Sequence, residues 1–228
     1  MLVYTCGFCY NTGMEITWLG HSCFKIRGKQ AAIVTDPYGT DIGYALGKPT
    51  ANIVTVSHNH KDHNNTADVL GEPRVVSHPG EYEIAGVLIF GLSTPRNAEK
   101  DILRGKNTIF VFETEEITLC HLGNLDAPLS DSQIEEIGKV DVLMIPVGGN
   151  YTLKPAEAAA LVRRLDPRIV LPMHYKSPYL TNDDLEPVDN FLREYGVSDL
   201  APLPKISFNK NNLPPVTQVT LLEAQPGK

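Results

Sequence analysis

Seven histidines occur in 228 residues, and three of them stand at His58, His60 and His63 with Asp62 beside the last. Imidazole and carboxylate are donors that hold Zn, Fe or Mn at neutral pH, where His is neutral and Asp is an anion. In an extended loop, His58 and His60 would point the same way, because side chains repeat every second residue. Asp62 and His63 would then turn with the chain toward a second point nearby. The run follows Asn52-Ile53-Val54-Thr55-Val56, which reads as a short buried strand. A metal site on the rim of a sheet is therefore expected. A solvated polar loop is the bland alternative, and three histidines and an acid after a buried strand weigh against it.

His174 is a second candidate, at the end of the strand expected over Arg168–Leu171. Taken alone, a strand-end histidine is more often structural than a ligand. His21 follows the first strand and either lines a cleft or serves a turn. Asn150 follows Val147-Gly148-Gly149, where glycine lets backbone approach a site. Tyr175 is placed to donate to a substrate oxyanion. Asp36 is placed to accept the second N–H of a ligating histidine. Lys61 would attract an anionic substrate or simply be solvated. Cys23 and Cys120 lie in strands and read as small apolar packing groups.

The elements that must carry these groups form two styles. Strands are expected at 15–19, 22–27, 30–35, 52–56, 74–77, 81–90, 107–113 and 116–120. Gly28-Lys29 turns the second pair. After that, strand and helix alternate. Ser130 and Gln133 make a capping box for a short helix through Ile137, and Asp141–Ile145 is a buried strand. A helix runs from Lys154 to Leu165 with Pro155 in its first turn. A further helix is expected over Thr181–Tyr195, and a last alternating strand over Val216–Leu222. Packed sheets with helices outside are the simplest arrangement, as one domain over 14–228. Residues 1–13, with Cys6 and Cys9, are expected to be a disordered tail or the product of a start placed ahead of Met14.

Composition narrows the function. Apolar residues make up 42% and charged residues 21%, which suits a well-cored globular chain. The net charge of −7, from 20 basic and 27 acidic residues, disfavours nucleic acid and anionic membranes as partners. No apolar run approaches the ~20 residues that span a bilayer. Four scattered cysteines make no disulfide framework, so a cytoplasmic protein with reduced thiols is expected. A homo-oligomer is compatible with the sequence.

His58-Asn59-His60-Lys61-Asp62-His63 resembles the signature of the metallo-β-lactamase fold. TWLGHSCFKI at 17–26, TDPYG at 35–39, HLGNL at 121–125, VDVLMIPVGGNYTL at 140–153 and LPMHY at 171–175 accompany it. Together they resemble the ascorbate-6-phosphate-lactonase-like branch, over about residues 14 to 222. The resemblance implies an α/β, four-layer αββα sandwich with a metal site at one edge between the sheets. It implies two ions. One would be held by His58, His60 and a third histidine from a later loop; the other by Asp62, His63 and His174. An aspartate at position 124 would bridge them, and a metal-activated water would attack the substrate.

The sequence departs from that pattern twice. Asn124 stands where the bridging acid belongs, and Ser93-Thr94-Pro95-Arg96-Asn97 holds no histidine. The first site lacks two ligands and the second only its bridge. One Zn ion rather than two is thus expected, with Fe or Mn as alternatives, at Asp62, His63 and His174. Asp62 is also the catalytic candidate, while His58 and His60 support the centre or act as general base. His21, Asn124, Asn150 and Tyr175 are candidate cleft or substrate residues. The favoured reading is an enzyme, a metal-dependent hydrolase of a small ester, lactone or phosphodiester, anionic or neutral. The alternative is a degenerate relative that binds or scaffolds.

Overall fold

The computed structural model describes residues 13–43, 45–94, 106–181 and 184–227. Except for Gly13, the expectation for residues 1–13 lies outside them. Two β-sheets face each other. The first has the order β12-β1-β2-β3-β4-β5, built from β1 (Met14–Gly20), β2 (Cys23–Arg27), β3 (Ala32–Thr35), β4 (Ile53–Thr55), β5 (Arg74–Val76) and β12 (Ile206–Phe208). The second has the order β13-β11-β10-β9-β8-β7-β6. Its strands are β6 (Gly80–Ile84), β7 (Val87–Thr94), β8 (Asn107–Thr114), β9 (Ile117–His121), β10 (Val142–Pro146), β11 (Ile169–Met173) and β13 (Gln218–Val219).

Strand alternation explains the two hydrophobic clusters. Ile16, Trp18, Phe24, Ile26, Ile33 and Ile53 project between the sheets and meet Phe110, Phe112 and Leu119. Their neighbours Leu19, Cys23, Val34, Val54 and Val56 project the other way, where Tyr38, Leu46 and Val69 cover them. Side chains on successive strand residues face opposite sides, so β3 and β4 are buried on both faces, while Glu15, Thr17, Lys25 and Arg27 turn outward from β1 and β2.

Three α-helices complete the described fold: α1 (Asp131–Ile137), α2 (Pro155–Leu165) and α3 (Val188–Tyr195). The capping box at Ser130 and Gln133 is present. Helix α2 buries Ala158, Ala159, Leu161, Val162 and Leu165, an i, i+3, i+4 stripe laid against the core.

Several elements differ from the sequence expectation, and β7 runs on to Thr94 past the expected end at Phe90. Helix α3 starts at Val188 rather than Thr181, with Pro187 extended at its N-cap. A proline disfavours helical backbone in the residue before it, so Glu186 cannot extend the helix backward. Strand β12 comes from a stretch in which only three residues pair with β1, too short for a period to register. The closing strand is only Gln218–Val219, parallel to β11; Leu222 makes a separate bridge to Leu203.

The connection types matter most for the site. Strand β4 lies parallel between β3 and β5, and β11 lies parallel between β10 and β13. Loops leaving the C-terminal ends of such strands gather at one rim, the usual place for functional groups in α/β sheets. The histidine run leaves β4 there, and His174 directly follows β11.

Candidate metal centre

Strand β1 delivers His21 through an irregular end. Its register against β2 shifts between Trp18 and Gly20, a bulge that re-aims the chain. His21 then takes a left-handed backbone, φ 52°. Two anchors hold its carbonyl: Trp18 Nε1 donates to it at 3.0 Å, and the His174 main-chain N–H donates to it at 3.0 Å. His174 is itself left-handed, φ 53°, as is Asp36, φ 39°. Non-glycine residues rarely adopt this region, and such strain collects at functional sites.

The run after β4 is coiled, not extended. His60 N donates to the His58 carbonyl at 2.9 Å and His63 N to the His60 carbonyl at 2.8 Å. These tight turns overturn the simple two-residue repeat expected for His58 and His60. The rings of His58 and His60 lie parallel but 6.1 Å apart. His58 instead approaches His63, at 4.2 Å between ring centres.

Asp36 fixes the chemistry of the cluster. Its Oδ1 accepts the Ser57 N–H at 2.7 Å, and its Oδ2 accepts the Ser57 hydroxyl at 2.6 Å. Oδ2 also accepts from His63 Nδ1 at 2.8 Å. Burial pushes the Asp36 carboxyl up, but His63 and these hydrogen bonds outweigh it and hold the group below its ordinary range. As an anion it can only accept, so His63 carries a proton on Nδ1, and in the neutral ring Nε2 is the ligand atom. The Ser57 hydroxyl spends its proton on Asp36. His58 Nδ1, 3.2 Å from that oxygen, must therefore be the donor, and His58 also presents Nε2.

Asp62 sits among three histidines. His21 Nε2 lies 3.6 Å from its Oδ2, and His63 Nε2 lies 3.7 Å from its Oδ1. His60 Nδ1 pairs with the same Oδ1. Desolvation raises the Asp62 carboxyl, yet His63, His21 and His60 together hold it well below the usual carboxylate range. Burial lowers His174 well below the normal imidazole value, assisted by His21 and His63; burial likewise lowers His21, with Asp62 opposing. Neutral imidazoles with free lone pairs beside a carboxylate are a metal-ligand set.

Two groups of ligand atoms each fall within 4.8 Å of one another: His21, His63 and His174, and His58, Asp62 and His63. The donor set fits a divalent transition ion. Both ring nitrogens of His21 and Nδ1 of His174 are buried with no hydrogen-bond partner among the described residues; each such atom costs about 1–3 kcal/mol, and an ion would satisfy one lone pair on each ring. A cleft of about 240 Å³ opens over His21, His60, Asp62 and His174, with Lys61, Tyr151 and Leu180 on its walls.

The remaining sequence candidates lie elsewhere. Tyr175 is buried and packs on Trp18 at 5.1 Å between ring centres, because the left-handed turn at His174 sends the next side chain into the core. The cleft tyrosine is Tyr151. Asn150 is exposed and its side-chain amide donates to the Asp184 carbonyl, so it fastens a loop. Asn124 is fully buried, and its N–H donates to Asn107 Oδ1 at 2.9 Å. Asn107 Nδ2 donates in turn to Thr94 Oγ1 at 3.1 Å and to the Leu122 carbonyl at 3.0 Å. A neutral clamp thus joins Thr94 to Asn124, the two neighbourhoods that lack the ligands implied by the resemblance. Pro95, Arg96 and Asn97 lie outside the described residues. His121 is a satisfied core histidine, with Nε2 donating to the Ser22 carbonyl at 2.8 Å and Nδ1 accepting the Gly123 N–H at 3.2 Å. Sequence reasoning undervalued His21; the one available signal was its place after a strand with a glycine break.

A family model described as a beta-lactamase superfamily domain matches residues 15–174. The chain belongs to the metallo-β-lactamase superfamily. It is similar to a UPF0173 protein of Pyrococcus furiosus, 33% identical over 71% of this chain and 83% of the relative. A UPF0173 metal-dependent hydrolase of Pyrobaculum calidifontis is 30% identical over 76% and 89%. Among solved structures, a metallo-β-lactamase superfamily protein of Thermotoga maritima superposes with TM-score 0.78 at 39% identity, covering 93% of this chain and 100% of that one. The fold is likewise that of Igni18 from Ignicoccus hospitalis, TM-score 0.63 at 20% identity over 87% and 99%.

Proposed function

We propose that this protein is a metal-dependent hydrolase that uses one divalent ion, Zn before Fe or Mn, to cleave a small ester, lactone or phosphodiester. The observation that carries the reading is the Asp36–His63 pair, which turns His63 Nε2 toward Asp62 and groups it with the rings of His21 and His174. Names of relatives support it: the Pyrobaculum calidifontis protein is called a metal-dependent hydrolase.

Asp62, His63 and His174 would hold the ion, which when bound polarises a scissile bond and lowers the pKa of a water molecule. Asp62 contributes the negative charge. His60 reaches the cleft with its Nδ1 on Asp62, so its outward edge is placed to pass a proton to or from the substrate. The cleft volume of about 240 Å³ suits a small molecule.

The test combines elemental analysis with hydrolysis of p-nitrophenyl esters, bis-p-nitrophenyl phosphate and simple lactones. One equivalent of Zn, with turnover lost on chelation and regained on readdition, is the expected result. Metal uptake without turnover of any of these would favour the second reading, a binding protein. The neutral Thr94–Asn107–Asn124 clamp is the observation behind that reading.

A further inference from the structure

We propose that His21 is itself a ligand, so that His21, His63 and His174 form a three-histidine seat for the ion. This rests on the reading of the chain as a metal protein and adds a donor from a different strand. Three independent features point to it. The ligand atoms of the three rings lie within 4.8 Å of one another. The His21 and His174 ring centres are 4.0 Å apart at an interplanar angle of 40°, and His21 and His63 are 5.0 Å apart at 61°. His63 and His174 are 5.7 Å apart at 21°, so His21 stands tilted between two near-parallel rings and closes the group. Neither ring nitrogen of His21 has a hydrogen-bond partner among the described residues, though the residue is only 4% exposed. A histidine kept merely to fill a turn would spend at least one N–H on a neighbour, as His121 does on Ser22.

The backbone adds a reason for the position. Trp18 and His174 both donate to the His21 carbonyl, so the main chain that carries the ring is held against the next ligand. Asp62 Oδ2, 3.6 Å from His21 Nε2, stands beside the seat as a fourth donor.

The experiment titrates Co²⁺ into metal-free protein and follows stoichiometry, affinity and the visible ligand-field spectrum, none of which needs a substrate. His21→Asn tolerates the left-handed backbone but offers a poor ligand; His21→Asp tolerates it and offers a carboxylate. Wild type should bind one equivalent with a defined spectrum. His21→Asn should lose affinity by about a hundredfold or more and shift the bands, since even residues that only support a ligand cost about 10–100-fold. His21→Asp should keep one equivalent with altered bands. Unchanged affinity and spectrum in His21→Asn would overturn the His21 assignment while leaving the metal-protein reading intact. No uptake by wild type would overturn both. Thermal midpoints of the metal-free variants report folding; should His21→Asn not fold, retention of the ion by His21→Asp supports the assignment and its loss rejects it.

Discussion

The His174 N–H donates to the His21 carbonyl at 3.0 Å, with both residues in the left-handed region at φ 53° and 52°. One follows a strand of the six-stranded sheet and the other a strand of the seven-stranded sheet. The bond fastens the sheets at the rim and brings the two rings within 4.0 Å of each other, tilted by 40°. Anything that moves one carbonyl here moves a ligand candidate on the other sheet.

Gly148 tests that coupling. A Cβ at Gly148 would lie 2.1 Å from the His174 carbonyl oxygen and 3.0 Å from Tyr175 Cα. Backbone must shift to relieve it. Gly148→Ala is expected to lower stability by about 2–4 kcal/mol and to weaken metal binding at a residue with no donor of its own. Urea denaturation and Co²⁺ titration measure the two effects, and a variant stable as wild type with normal uptake would contradict the geometry.

Asp36 is expected to matter for both folding and metal. Asp36→Asn tolerates the left-handed backbone but replaces an anion that accepts three hydrogen bonds with a neutral amide. A loss of about 3 kcal/mol is expected, with metal affinity down about 10–100-fold because His63 loses its orienting acceptor. If affinity drops no more than twofold, Asp36 does not set the His63 tautomer.

The Asn107 clamp predicts the opposite pairing of effects. Asn107→Ala strands the Asn124 N–H and the Leu122 carbonyl, so about 2–4 kcal/mol of stability should be lost. Co²⁺ stoichiometry should remain at one equivalent, because none of the clamped groups belongs to the three-histidine seat. Loss of the ion in folded Asn107→Ala would show that the clamped side holds metal after all.

His121 gives a pH test. Burial lowers its pKa, with Asp36 and the Ser22 carbonyl acting against it without cancelling it. The unfolded chain titrates near ~6.5. A depressed folded value means that the unfolded state binds more protons below that pH. The stability from neutral His121 is therefore complete above about pH 6.5 and fades as pH falls toward the folded pKa. Protonating Nδ1 also breaks the bond from Gly123. His121→Gln should flatten the pH dependence of metal-free stability between pH 7 and 5 by up to about 1.4 kcal/mol per unit. Equal slopes for variant and wild type, from urea midpoints, would rule this out.

Local sequence determined which groups could do chemistry and roughly where the strands lie. The alternation of Ile16 and Trp18 with their neighbours, the Ser130–Gln133 cap and the apolar stripe of α2 are short-range patterns, readable because propensity and period act over a few residues. The histidine run was visible for the same reason. Tertiary structure alone decided which imidazoles meet. His21 and His174 are separated by most of the chain, and a bulge, a tryptophan N–H and one main-chain hydrogen bond bring them together. His58 and His60, two residues apart, were parted by tight turns that no period announces. The Asn107 clamp likewise joins Thr94 and Asn124 through pairing of β7 with β8, a non-local register. Residue types set the available donors; long-range hydrogen bonds set which lone pairs share a point in space.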